Sequence, residues 1–127
     1  MSPLQSKEEL YALLDKMLAH LQQSEKLKAK IGSSNDSIGF IIRDLGAEFH
    51  LRFAKGEVSG GQGGAKDCTI SVTMDSGLLE RLLTGQTYPE SAYEYGALSL
   101  RGSEWVAQDM LRYMPDLMAA YKAATAA

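Results

Sequence analysis

The sequence predicts an α+β fold, and two changes of hydrophobic period carry that prediction. Apolar residues first recur at helical spacing, as Leu10, Leu13, Leu14, Met17, Leu18 and Leu21. They then alternate with other residues from Ile38 to Phe53 and again from Asp67 to Met74, the period of a pleated strand. Helical spacing returns in the last third. Strands in a block, with helices mostly at the ends, make a sheet covered by helices on one face.

The first helix spans about 7 to 23. Ser6 and Glu9 form a capping box in which each satisfies an orphan amide of the first turn. The stretch from Ser24 to Lys30 extends this helix, and Gly32 to Ser37 ends it with turn residues. Ile38, Phe40 and Ile42 form one strand. Phe49, Leu51 and Phe53, alternating with Glu48, His50 and Arg52, form the next, with Asp44-Leu45-Gly46 as the turn between them. Lys55-Gly56 closes that strand, Glu57 to Ser59 make a short third, and Gly60 to Gly64 read as a flexible connector. Asp67 to Met74 form a strand in which Cys68, Ile70, Val72 and Met74 share a face. Asp75 is placed to cap a helix through Leu78, Leu79, Leu82 and Leu83, stopped by Gly85. Pro89 opens another short helix. Ala97 to Arg101 is the last strand, and Ser103 caps a helix carrying Trp105, Val106, Met110, Leu111 and Met114. Pro115 breaks or kinks that helix before Leu117, Met118 and Tyr121.

Composition excludes several functions. The 127 residues suit one domain, read as 1–127, with 45% hydrophobic and 23% charged residues. A net charge of -3 lacks the basic footprint that nucleic acid requires. The N-terminus has no apolar core of a signal peptide, and no stretch reaches the roughly 18 apolar residues of a membrane span. The last residues match no peroxisomal or reticular address. A single cysteine, Cys68, makes neither an internal disulfide nor a Cys-rich zinc site. Together these point to a cytoplasmic protein without stable membrane insertion.

No motif for catalysis, metal or cofactor stands out. The run Gly60-Gly61-Gln62-Gly63-Gly64-Ala65-Lys66-Asp67 has neither Walker nor dinucleotide-binding spacing, and a strand follows it. His20 and His50 are isolated and read as surface residues, short of a zinc set. Cys68 has no neighbour that would activate its thiol. No G-x-S-x-G elbow is present. Most acidic residues of the second half fall at helix starts, where the macrodipole favours them. Among Tyr88, Tyr93 and Tyr95, one phenol is suited to greet a ligand head group, while packing of a loop is the plainer reading.

The second half carries an ordered series: Asp67-Cys68-Thr69-Ile70-Ser71-Val72, then Leu78-Leu79-Glu80-Arg81-Leu82-Leu83-Thr84-Gly85, then Pro89 and Tyr93, then Gly96 to Gly102. In that order the segments resemble the sterol carrier protein type 2 family. Ser103 stands where the family usually has Asp, and either residue caps a helix. The missing peroxisomal signal fits a bacterial-type, free-standing member. The resemblance implies a roughly five-stranded, mainly antiparallel sheet backed by helices, with an apolar tunnel between them. It implies a non-enzymatic carrier of fatty acids, acyl-CoA or sterol-like lipids, with no cofactor. Residues expected to face that tunnel are Phe40, Ile42, Met74, Leu79, Leu82, Leu83, Trp105, Met110, Met114 and Met118. Met110, Met114 and Met118, four apart, would give an adaptable wall. The rival expectation is an accessory or dimerisation module, a closed core that presents a patch to a protein partner, including a second copy.

Overall fold

A computed structural model describes residues 5–126. Five strands form one mixed sheet in the order β3-β2-β1-β4-β5. They are β1 (Asn35–Ile42), β2 (Ala47–Ala54), β3 (Glu57–Gln62), β4 (Ile70–Met74) and β5 (Ser99–Arg101). β1 runs parallel to β4, while β1–β2, β2–β3 and β4–β5 are antiparallel. The helices are α1 (Lys7–Gln22), α2 (Glu25–Ile31), α3 (Ser76–Leu83), α4 (Pro89–Glu94), α5 (Glu104–Met110) and α6 (Met114–Thr125).

Alternation sorts the sheet into two faces. Phe40 and Ile42 of β1, Phe49, Leu51 and Phe53 of β2, and Ile70, Val72 and Met74 of β4 are buried together with the apolar stripe of α1 and with α3. The stripe of α1 is the predicted one: Leu10, Leu13, Leu14, Met17 and Leu21 are buried. Two polar side chains fasten α1 to the sheet. The Tyr11 hydroxyl accepts from the Glu48 amide (3.2 Å) and reaches the Glu48 carbonyl (3.3 Å). At the other end of the helix, Gln22 Nε2 donates to the Val58 carbonyl. α6 packs across α1 and also meets α3.

Several local expectations are corrected. Ser24 does not extend α1. Its hydroxyl accepts from the Leu27 amide and starts α2 as a separate helix. Gly60 and Gly61 are not a free loop but part of β3, paired with Leu51 and His50. Asp75 stands at the N-cap of α3 yet makes no capping bond, its carboxylate lying 3.6 Å from Arg43. The cap comes from Asp44, whose carboxylate accepts from the Ser76 amide at 2.8 Å and the Ser76 hydroxyl at 2.6 Å. This pins the β1–β2 turn to the start of α3. Desolvation pushes Asp44 upward, but the Ser76 hydroxyl and amide, with the Arg43 charge, outweigh it and hold the carboxyl below its ordinary value.

The reverse face of the sheet is covered at one point by the 3-10 turn Ala65–Asp67. Here Gly39 is needed. A Cβ on it would lie 2.3 Å from the Ala65 carbonyl oxygen and 2.4 Å from the Ala65 Cα. The turn is held by the Glu48 carboxylate, which accepts from the Ala65 amide, and by His50 Nδ1, which donates to the Gly63 carbonyl at 2.8 Å. His50 is thus a half-buried structural residue and not a bare surface one.

Two stability measurements check this account. Gly39→Ala should destabilise by about 1–3 kcal/mol, the usual cost of overpacking, whereas Gly61→Ala, with only the His50 ring at 3.8 Å, should be mild. Equal urea midpoints for the two variants would refute the close approach. Asp44→Ala should cost about 1 kcal/mol at neutral pH, as loss of a cap does. Because the folded value is lowered, that stabilisation is complete above the ordinary carboxylate value and vanishes as pH falls through the lower folded one. A variant deficit that persists unchanged below that window would contradict the assignment.

Candidate functional site

Between the sheet and its helices lies an apolar cavity of about 460 Å³. That is within the roughly 300–1,000 Å³ common for small-molecule sites. Its floor is the inner face of the sheet: Ile38 and Phe40 of β1, Phe49, Leu51 and Phe53 of β2, Ile70, Val72 and Met74 of β4, and Leu100 of β5. One wall is α1, with Leu10, Leu13, Leu14, Met17 and Leu21. Leu79, Leu82 and Leu83 of α3 make another. The remaining side comes from α4, α5 and the start of α6.

At α4 and α5 the lining changes from apolar to polar. Glu90, Tyr93, Glu94, Glu104 and Gln108 border the cavity and are all exposed, so the space opens to solvent here. The Tyr93 hydroxyl donates to Glu104 Oε1 at 2.7 Å and ties α4 to α5 across the opening. That bond and the Glu104 charge push the Tyr93 phenol upward.

Two aromatic stacks shape the interior. The Phe40 and Phe49 rings lie 4.7 Å apart at 14° on neighbouring strands. Phe53 stacks on Tyr113 at 4.1 Å and 9°, joining the sheet to the 3-10 turn between α5 and α6. The Arg112 guanidinium covers Tyr113 at 4.6 Å and donates to its hydroxyl at 2.7 Å and to Ser34 Oγ at 2.8 Å, while pairing with Asp109. Lys30 Nζ completes the cluster, with Asp116 Oδ2 at 2.7 Å and the Arg112 carbonyl at 3.1 Å.

Of the ten residues expected to face a tunnel, the structure brings seven to the cavity: Phe40, Met74, Leu79, Leu82, Leu83, Met110 and Met114. Three lie elsewhere. Ile42 is on the same sheet face as Phe40, but at the strand's end it is packed solid, with 0% exposure. Trp105 is 83% exposed, because α5 turns Glu104, Ala107 and Gln108 toward the cavity and Trp105 falls off that side of the helix. Met118 is half-buried against Gly85, at the end of α3. The contribution of α1 and of Phe49, Leu51 and Phe53 is absent from those ten, although their apolar periodicity was the available signal. The acidic border had no such signal, since its carboxylates also suit helix starts.

A metal-binding constellation is not seen among the described residues. No group of three or more His, Cys, Asp or Glu side chains there is arranged to hold a metal ion. Cys68 is buried, its thiol donating to the Gly64 carbonyl at 3.3 Å. No helix among the described residues is long and apolar enough to cross a membrane.

A layer of helices over a mixed five-stranded sheet is also the fold of solved sterol carrier proteins. A solution structure from Thermus thermophilus, described as a conserved hypothetical protein and possibly a sterol carrier protein, superposes with a TM-score of 0.74 at 17% identity, covering 100% of this chain and 94% of that one. Sterol carrier protein domain 2 of Helicoverpa armigera gives 0.60 at 20%, covering 94% of each chain. The sec-alkylsulfatase Pisa1 from Pseudomonas sp. gives 0.60 at 13%; 69% of this chain matches, and it spans only 14% of that enzyme's length. Comparison with curated proteins finds no match. The model of the SCP-2 sterol transfer family matches residues 14–114, and the chain belongs to that family.

A double-mutant cycle tests the strut at the closed end of the cavity. Phe53→Leu and Tyr113→Leu should be non-additive in stability by about 0.5–1.5 kcal/mol, the coupling of a stacked pair. Additive effects would mean that the stack does not join sheet to helices energetically.

Proposed function

We propose that this protein is a non-enzymatic carrier of long-chain hydrophobic molecules, held in the cavity between sheet and helices. The carrying observation is the cavity itself: about 460 Å³, apolar over most of its wall and bordered by exposed polar residues at α4 and α5. Well-packed interiors leave few voids larger than a water molecule. Family membership supports the same reading. The wider ligand classes that it suggests are fatty acids, acyl-CoA and sterol-like lipids.

Affinity in such a site comes from burial of the ligand's apolar surface, about 25 cal/mol per Å², reduced by the entropy of association. Phe40, Met74, Leu79, Leu82, Leu83, Met110 and Met114 would make those contacts, the two methionines adapting to varied chain shapes. The described residues that border the cavity include no Ser, Thr, Cys, Lys or His side chain, and holding the ligand is the chemistry proposed. The accessory-module reading needs a closed core and draws no support from an open cavity.

Native mass spectrometry of protein from its expression host, followed by solvent extraction, should find a stoichiometric long-chain molecule. Met114→Glu places a charge at the cavity wall from a half-buried position, and it should abolish binding of an uncharged fluorescent apolar probe while circular dichroism shows an intact fold. An empty wild-type protein that also ignores added probe would refute the carrier reading. Full binding by a folded Met114→Glu variant would refute the assigned wall.

A further inference from the structure

The cavity's charged border has one sign. Among the described residues, Glu90, Glu94 and Glu104 are its only ionisable acids or bases apart from tyrosine, and no Lys, Arg or His lines it. Two cations beside the Tyr113 wall of the cavity are engaged with other groups. Arg112 points to Asp109, Tyr113 and Ser34, and Lys30 to Asp116. Glu90 and Glu94 have no ion-pair or side-chain hydrogen-bond partner among the described residues. The one phenol at the opening, Tyr93, already donates its proton to Glu104. Gln108 is the one neutral amide there, able to donate or accept, so the border offers hydrogen-bond acceptors, negative charge and no cation with which to hold an anion.

An amphiphile bound with its chain in the apolar space would leave its head group at this border, the polar part of the described lining that opens to solvent. We infer that the border selects the ligand by its head: a hydrogen-bond-donating head that is cationic or uncharged is accepted, with an ammonium held tightest, and a carboxylate or phosphate head is rejected. This rests on the carrier reading and narrows it away from fatty acids and acyl-CoA. The physical cause is Coulombic. Carboxylates at the border attract a cationic head and repel an anionic one, more strongly where water is thinned. Both the attraction and the repulsion weaken as salt is added.

The test holds the chain constant and changes the head. Dodecylamine, dodecanol and dodecanoate, each below its micellar concentration, are titrated against full-length protein loaded with an uncharged fluorescent naphthylamine probe. Displacement should rank amine, then alcohol, then carboxylate, with the amine at least about tenfold tighter than the carboxylate at low salt. The gap should narrow between roughly 10 mM and roughly 0.5 M salt. Glu90→Gln/Glu94→Gln/Glu104→Gln replaces exposed groups and should keep the fold. It should bring amine and carboxylate to nearly equal affinity while leaving dodecanol almost unchanged. Carboxylate binding as tight as amine, or a ranking unaffected by the triple variant, overturns the selection while the carrier reading stands. Failure of the uncharged probe and of all three ligands to bind overturns the carrier reading itself, and the selection with it.

Discussion

The stack of Phe53 on Tyr113 holds the sheet and the helical layer apart, and the cavity depends on that separation. Apolar walls left free close on one another, because closure removes their surface from water. Here a ring on β2 meets a ring on the turn between α5 and α6, and neither compresses. Arg112 and Lys30 fix the second ring from behind by bonds to Ser34, Asp109 and Asp116. α1 spans the same space as a beam, tied to the sheet through Tyr11 and Gln22. Polar bonds at the periphery thus sustain an apolar interior that is not filled by its own side chains.

The sequence made some of this plain and hid the rest, for physical reasons. α1, β2, β4 and α3 were legible because each buries one face and repeats its apolar residues at the period of its own geometry. The boundary at Ser24 was not, since a serine that caps a new helix and one that rides inside a longer helix look alike in sequence. Likewise Asp75 and Asp44 are both acids near the start of α3, and only tertiary structure decides that Asp44 reaches Ser76. Gly60 and Gly61 carry no side-chain pattern, so their pairing in β3 left no mark on the sequence.

The cavity wall shows the same division. Residues on the sheet and α3 fell where alternation and helical spacing place them. The methionine series failed at its last member inside α6, where Leu117, three residues after Met114, takes the cavity side and Met118, four after it, packs against Gly85. Trp105 shows a related limit: a large apolar residue in a helix invites burial, but which side of a short helix faces inward is set by its neighbours in space.

That misplaced tryptophan has a spectroscopic consequence. Trp105 is the protein's sole tryptophan, and it stands exposed, one residue from the Glu104 that binds Tyr93. Most globular domains keep an indole inside, where its emission reports melting of the core. This molecule wears its indole on the outside, beside the doorway. An indole exposed to this degree should emit as a solvated ring in the native state, so unfolding should shift it little. A shift of α5 on ligand entry would move the indole with Glu104, so the chain carries its own reporter of that helix without any label.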